Sequence, residues 1–329
     1  MNLDIQIRSL CYLQTGNDFV KKVILLIVYE LRNSMIRFTV FGDLHYDEVS
    51  DGEKRVNELV GHIKAVKPDF VISLGDLCNP VEENKETVLK QFEKTGVPMY
   101  HTIGNHETDA CYLDTAVDFL ALPSPYYSFI CGDIKFIVLN SCYFSKDGQE
   151  SAYYRRTYRE DNSLYPIIPK EEKEWLEKEL SDGKKYIVFS HHSLVNNHRD
   201  RGIYNREEIR TLFRGKNVLL CMNGHDHGDE FAVVDVIPYY TVNSATYVWC
   251  GSQIASSEKL KEKYGYLRGM LLYKQALYVD VEIDDNEIRI HGMEGDYLSV
   301  TPEEVELYDY RWNGVSIKAQ TSSRVIKRA

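Results

Sequence analysis

The chain has 329 residues, 43% of them apolar and 27% charged, with a formal net charge of −11. That balance excludes a disordered chain and leaves ample material for a large buried core. The acidic surplus argues against a nucleic-acid partner, whose phosphates need basic patches, but leaves a small phosphorylated ligand open because a bound metal can supply local positive charge.

Residues 1–34 read as a polar start followed by one apolar or amphipathic helix, FVKKVILLIVYEL. Its longest apolar run, Val23 to Tyr29, is too short to span a bilayer. Acidic residues precede it and no small-residue cleavage site follows, so it does not read as a signal peptide. The expectation is an extension over 1–34 outside the working fold, with no membrane span. The seven cysteines are an odd number without a CxxC pair, which fits reduced thiols and a cytoplasmic location.

A new pattern opens at Met35. IRFTVFG reads as a buried strand, GEKRVNELVGHIKAVK as an amphipathic helix and DFVISLG as a second strand; ETVLKQFEKTG and VPMYHTIG repeat the alternation. This βαβ rhythm predicts an α/β sheet. YYSFICGDIKFIVLNS has the spacing of a hairpin turning at Gly132-Asp133. A Tyr- and charge-rich segment follows over 143–169, then helix KEEKEWLEKELSDG, strand KKYIVFSHH, helix REEIRTLFRG and strand NVLLCMNGHDH. Beyond 229 the pattern is mostly β. One domain is expected over 35–295, with a tail over 296–329 packing on it.

Several strands end in polar residues able to bind metal: GDLHYD, GDLCN, GNHE, HH and GHDH. Ligands of open α/β sheets gather at the carboxyl ends of strands. Asp43 and His45 are two apart, as are His225 and His227, so each pair faces one side if the chain is extended. Asp76 offers two oxygens and can bridge two cations; His191 and Asn105 complete a set of four His, two Asp and one Asn. Mixed N/O donors suit Mn, Fe or Zn better than Ca or Mg. Two such ions can clamp the attacking and leaving oxygens of an in-line displacement.

In this order the five motifs resemble the calcineurin-like metallophosphoesterase superfamily over most of 36–243. The EEKEWLEKEL helix, GHDH and IPYYTVNS are similar to bacterial members related to cyclic-nucleotide phosphodiesterases and small phosphatases. The resemblance implies a four-layer αββα sandwich of two mixed sheets flanked by helices, with a β-rich C-terminal part. It implies a binuclear centre in which Asp43, His45, Asp76 and His227 hold one ion. Asp76, Asn105, His191 and His225 would hold the other. His106 would not ligate; it would contact the phosphate and protonate the leaving oxygen. The chain lacks the Asp-Arg-Gly that follows this motif in Ser/Thr protein phosphatases, and Ser193 stands where many relatives have Pro, which leaves His192 as an alternative to His191.

The resulting expectation is a phosphoric ester hydrolase acting on a small phosphodiester or phosphomonoester, a nucleotide among the candidates. A nuclease, a protein phosphatase and a non-catalytic scaffold are the alternatives. Around the centre, Asn79 could touch substrate or shape the turn before Pro80. Within 143–169, Arg155 could clamp a phosphate and Tyr154 could stack on a base. Asn243, with Tyr239, Tyr240 and Trp249, could line the pocket wall or pack the sheet. Glu107 could orient its loop or hydrogen-bond His106, and Asp226 is expected to face away from the metals.

Overall fold

A computed structural model describes residues 35–160, 164–198 and 201–328. The extension expected over 1–34 lies outside the described residues.

Two six-stranded mixed sheets form the centre. In the first, β1 (Ile36–Phe41), β2 (Phe70–Ser73) and β3 (Met99–His101) run parallel. The second contains β4 (Tyr127–Cys131), β5 (Ile134–Val138), β6 (Lys185–Ser190), β7 (Asn217–Asn223), β8 (Glu230–Val234) and β9 (Ile237–Thr241), in the order β8-β9-β7-β6-β5-β4. Strands β10 (Val279–Ile283), β11 (Glu287–His291) and β12 (Arg324–Lys327) complete the first sheet, in the order β12-β11-β10-β1-β2-β3. The apolar runs of β2, β6 and β7 mark strands covered on both faces.

The covering follows directly. Between the sheets, Phe38 stacks on Phe70 with ring centroids 4.7 Å apart, and Phe136 meets both edge-on. The outer face of the first sheet packs Phe41 and Val71 against Val56, Leu59 and Ile63 of the helix Gly52–Val66 and against Phe92. The outer face of the second packs Ile137, Val188 and Cys221 against Leu176 of the helix Lys170–Glu179 and Ile209 of the helix Arg206–Phe213. Helix, sheet, sheet, helix is the four-layer order.

Residues on both sides of the boundary expected at 295/296 share one further apolar cluster, with Val248, Leu260 and Leu271 packed beside Val300, Val305 and Ile317. Residues 143–153 are more ordered than their sequence pattern predicts. A hairpin of Tyr143–Lys146 with Gln149–Ala152 opens the stretch, and Tyr153 is buried. No described helix is long and apolar enough to cross a membrane. The six described cysteines are all free.

Candidate metal centre

The parallel strands of both sheets end on one side of the molecule, and the loops that leave them carry the polar motifs. Asp43 and His45 follow β1, Asp76 follows β2, and Asn105 and His106 follow β3. His191 and His192 follow β6, and His225 and His227 follow β7. Hydrogen bonds tie these loops across the two sheets: Gly224 N–H to the His191 carbonyl (3.1 Å), Ala245 N–H to the Gly42 carbonyl (2.9 Å) and Asp43 N–H to the Gly75 carbonyl (2.9 Å).

The seven expected donors come together, though not by the extended geometry anticipated for the two His/Asp pairs. Asp43, His45, Asp76, His225 and His227 all have positive φ, between 45° and 65°. A left-handed turn, rather than strand alternation, aims each pair inward. Such residues cost on the order of 1–3 kcal/mol each and persist where their surroundings over-determine them. Here the surroundings are specific. His225 N–H donates to the Asp43 carboxylate at 3.0 Å, and Ser244 and Thr246 hydroxyls donate to the Asp43 carbonyl at 2.8 and 3.0 Å. The glycine before Asn105 is a close-approach residue: a Cβ at Gly104 would stand 2.2 Å from Asp76 Oδ1.

Asp76 is central. Its Oδ2 lies 3.6 Å from His45 Nε2 and 3.3 Å from His191 Nε2, while Oδ1 accepts the His106 N–H at 2.8 Å. On one side of it, His45 Nε2 and His227 Nε2 are 3.1 Å apart, and His227 Nε2 is 3.4 Å from Asp43 Oδ1. On the other, His191 Nε2 lies 3.2 Å from both Asn105 Oδ1 and His225 Nδ1. His192 also falls in this group, with its Nδ1 2.8 Å from Ser141 Oγ.

These donors fit cations. His191 Nδ1 faces the Leu74 carbonyl at 2.8 Å and His227 Nδ1 faces the Tyr247 carbonyl at 2.9 Å, so each Nδ1 carries a ring proton and each Nε2 is aimed at the cluster. A cation between His227 Nε2, His45 Nε2 and Asp43 would draw on all three donors, and one between His191 Nε2 and Asn105 Oδ1 would take the place of the proton they can share. Charges agree with this. Burial, with His106 and His227 beside it, pushes His45 down to about 3, so it is a neutral donor. Despite burial, the neighbouring imidazoles hold the Asp43 and Asp76 carboxyls below their usual range. His191 is the exception: burial pulls it down, but Asp76 holds it at about 9, so an incoming cation there displaces a proton.

His106 sits at the rim, its side chain 20% exposed and its Nε2 4.0 Å from Asp76 Oδ2. Its other nitrogen, Nδ1, faces two carboxylates, Asp109 Oδ2 at 3.1 Å and Glu48 Oε1 at 3.3 Å. Burial opposes its charge, yet Asp76, Asp109 and Glu48 hold it well above the ordinary histidine value. Sequence reasoning missed Glu48 and Asp109. The i, i+3 spacing of Asp109 from His106 in a helical turn was the available signal. Glu48 left none, because its loop position beside Tyr247 depends on tertiary contacts (Tyr247 hydroxyl to Glu48 Oε2, 2.8 Å).

Glu107, whose role was open, accepts three backbone N–H groups: Asp76 at 2.9 Å, Leu77 at 2.6 Å and Gly104 at 2.7 Å. It fixes the two loops to each other and makes no bond to His106. Asp226 turns away from the cluster, held by Asn196 Nδ2 (3.0 Å) and Arg201 Nε (3.2 Å).

The expected substrate contacts divide. Asn79 is half-buried, its N–H on Asp47 and its carbonyl on Asn84, a turn role. Tyr154 and Arg155 are exposed and pack on Tyr112 rather than on the cluster. Their neighbours reach the site instead: Arg156 Nε and the Tyr158 hydroxyl both bind Asp109. Asn243 is consumed inside the fold. Its amide nitrogen binds the Lys318 and Gln320 carbonyls, and its oxygen accepts the Tyr273 hydroxyl. Tyr239 and Tyr240 are core residues and Trp249 is half-exposed.

Two converging sheets with this donor set at their carboxyl edge define a metal-dependent hydrolase of phosphoric esters. The chain belongs to the calcineurin-like phosphoesterase family, whose model matches residues 36–229. A search of curated proteins by sequence found no match. Among solved structures the chain is similar to a dimetal phosphatase from Danio rerio, at 13% identity and TM-score 0.61, over 89% of this chain and 99% of that one. It is also similar to GAP50, the anchor in the inner membrane complex of Plasmodium, at 14% identity and TM-score 0.53, over 88% of this chain and 97% of that one. At these identities the likeness concerns the fold.

Proposed function

We propose that the protein hydrolyses a phosphodiester or phosphomonoester of a small molecule, with nucleotides as the leading candidates. Asp43, His45, Asp76 and His227 would hold one cation and Asp76, Asn105, His191 and His225 the other; Mn, Fe and Zn suit these donors. The observation that carries this reading is the position of Asp76 between two groups of apposed donors, with His106 at the open edge. When bound, such a pair of ions supplies Lewis-acid charge to the phosphoryl oxygens and eases deprotonation of water.

The chain's own residues supply the rest. Asp109 and Glu48 fix the Nδ1 proton of His106, which turns Nε2 toward Asp76 and the cluster. From there Nε2 can hand a proton to the leaving oxygen as general acid. Glu107 and the left-handed turns keep the donors in place before substrate arrives, so little reorganisation accompanies reaction. The acidic chain supports a small substrate over a nucleic acid, and the presence of all seven donors supports catalysis over a scaffold role.

The test is chelation followed by Mn add-back, with bis(p-nitrophenyl) phosphate and p-nitrophenyl phosphate assayed in parallel. Metal-dependent release of p-nitrophenol from either is expected, and the ratio assigns diester or monoester preference. Absence of turnover with both would overturn the reading.

A further inference from the structure

We propose that Arg156 and Arg159, beside His106, bind an oxyanion carried by the leaving group, so that the alcohol released by hydrolysis is itself acidic and bears a carboxylate or a second phosphate. The proposal rests on the phosphoesterase reading above and extends it to substrate class. Residues 154–159 bring Arg155, Arg156 and Arg159 together in a chain whose net charge is −11. The backbone there is unusual: Arg155 and Arg156 are consecutive residues in the left-handed region, with φ of 45° and 65°. Neither is glycine, and such residues persist where their surroundings over-determine them, ligand clamps among them.

The surroundings are the turn that carries His106. Arg155 N–H donates to the Thr108 carbonyl at 2.7 Å. Arg156 Nε lies 3.0 Å from Asp109 Oδ2, the same oxygen that faces His106 Nδ1 at 3.1 Å. The Tyr158 hydroxyl donates to Asp109 Oδ1, and its ring centroid lies 6.2 Å from that of His106. The Arg159 guanidinium stands 5.6 Å over the Tyr158 ring. Imidazole, phenol and guanidinium thus form one row that starts at the proposed general acid. His106 itself converges with His45 and Asp76, so the row begins at the metal cluster. A leaving group whose oxygen sits at His106 Nε2 has this row beside it.

The charges of the row select the ligand. The two acids that face His106 have other donors as well: Glu48 takes the Tyr247 hydroxyl, and Asp109 takes Tyr158 and Arg156. Arg156 gives Asp109 only its Nε, and its side chain stays 53% exposed, which leaves the Nη edge for a ligand. Arg159 is exposed and rests on the Tyr158 ring, a contact that steadies the guanidinium without neutralising its charge. Planar guanidinium groups match the geometry of carboxylate and phosphate oxygens. A neutral or cationic leaving group would gain nothing from them. Both arginines would touch the departing alcohol and not the phosphorus, so their effect falls on the choice between leaving groups.

Chromogenic esters with related leaving groups test this: p-nitrophenyl phosphate and its analogues with a carboxylate or a phosphonate ortho to the nitro group, each also as the methyl diester. The metal-loaded protein should favour the acidic leaving groups over the plain one by about fivefold or more in kcat/KM, the scale of one ion pair. The better of the two acidic analogues tells a carboxylate from a phosphate as the natural oxyanion. Arg159→Ala should lower the preference severalfold through KM, and Arg159→Glu should reverse it. Arg159 rests on Tyr158 and not on Asp109, so these variants read recognition apart from proton transfer. Arg156→Ala should lower the preference as well, and added salt should shrink it in the unaltered protein. Equal rates on plain and acidic esters, or a preference that survives in Arg159→Glu, would overturn the assignment and leave the phosphoesterase reading intact. Absence of turnover with every ester would overturn both.

Discussion

His106 differs from the other imidazoles of the cluster in what faces its Nδ1: two carboxylates, where His191 and His227 face backbone carbonyls. A ring held this way is suited to proton transfer, and a ring bonded to a carbonyl is suited to ligation. Replacing His106 by Ala should cut turnover by about 10²–10⁴ while both ions stay bound, as measured by steady-state kinetics alongside elemental analysis. Stoichiometric loss of metal in that variant would make His106 a ligand instead. Asp76→Asn should behave oppositely and deplete both ions together, because Oδ2 stands between the two donor groups; loss of one ion alone would contradict the bridge. At this scale the sequence disclosed the donor types and their order, since ligation chemistry restricts residue identity. It could not disclose Glu48 or the fate of Asn243. Both depend on which distant segment arrives beside them, Tyr247 in one case and residues 318–320 in the other.

At the scale of elements, the legible part was periodicity. The helices Gly52–Val66 and Arg206–Phe213 and the hairpin turning at Gly132 stand where their patterns place them. The turns that aim the clustered Asp and His side chains were not legible, because positive φ at Asp or His has no sequence signature as strong as glycine's. Glu172 was also hidden, in a helix whose Lys/Glu content suggests full exposure. Its side chain is wholly buried, with Oε1 accepting the Asn140 N–H at 2.8 Å and Oε2 without a partner. Burial holds this carboxyl well above the ordinary glutamate value of about 4.5. The folded state therefore keeps the proton more tightly than the unfolded state, and stability falls as pH rises from about 4.5 toward the folded pKa. Glu172→Gln removes that loss. Urea unfolding of the two proteins should show little difference near the acid end of this window and a growing advantage for the Gln variant toward pH 8. A pH-independent difference would mean that Glu172 does not titrate on folding.

For the whole molecule, the alternation of strands and helices predicted an α/β architecture, but the sandwich of two sheets rested on the resemblance. Periodicity does not say which strands share a sheet; β1 lies between β2 and the far-off β10, a pairing only tertiary packing can choose. That closure has an energetic consequence. Asp43 and Asp76 are almost wholly buried among four imidazoles where the two sheets meet, and buried charges are costly unless paired or coordinated to metal. Cations that bind only the folded chain stabilise it by mass action, about 2.7 kcal/mol at a free concentration one hundred times Kd. Thermal unfolding after chelation should therefore occur several degrees lower than after Mn add-back, with the midpoint rising as metal is titrated. Asp76→Asn should abolish most of the rise, whereas His106→Ala should keep it, which separates ligand from acid without any substrate. An identical midpoint with and without metal would show that these donors do not form a metal centre.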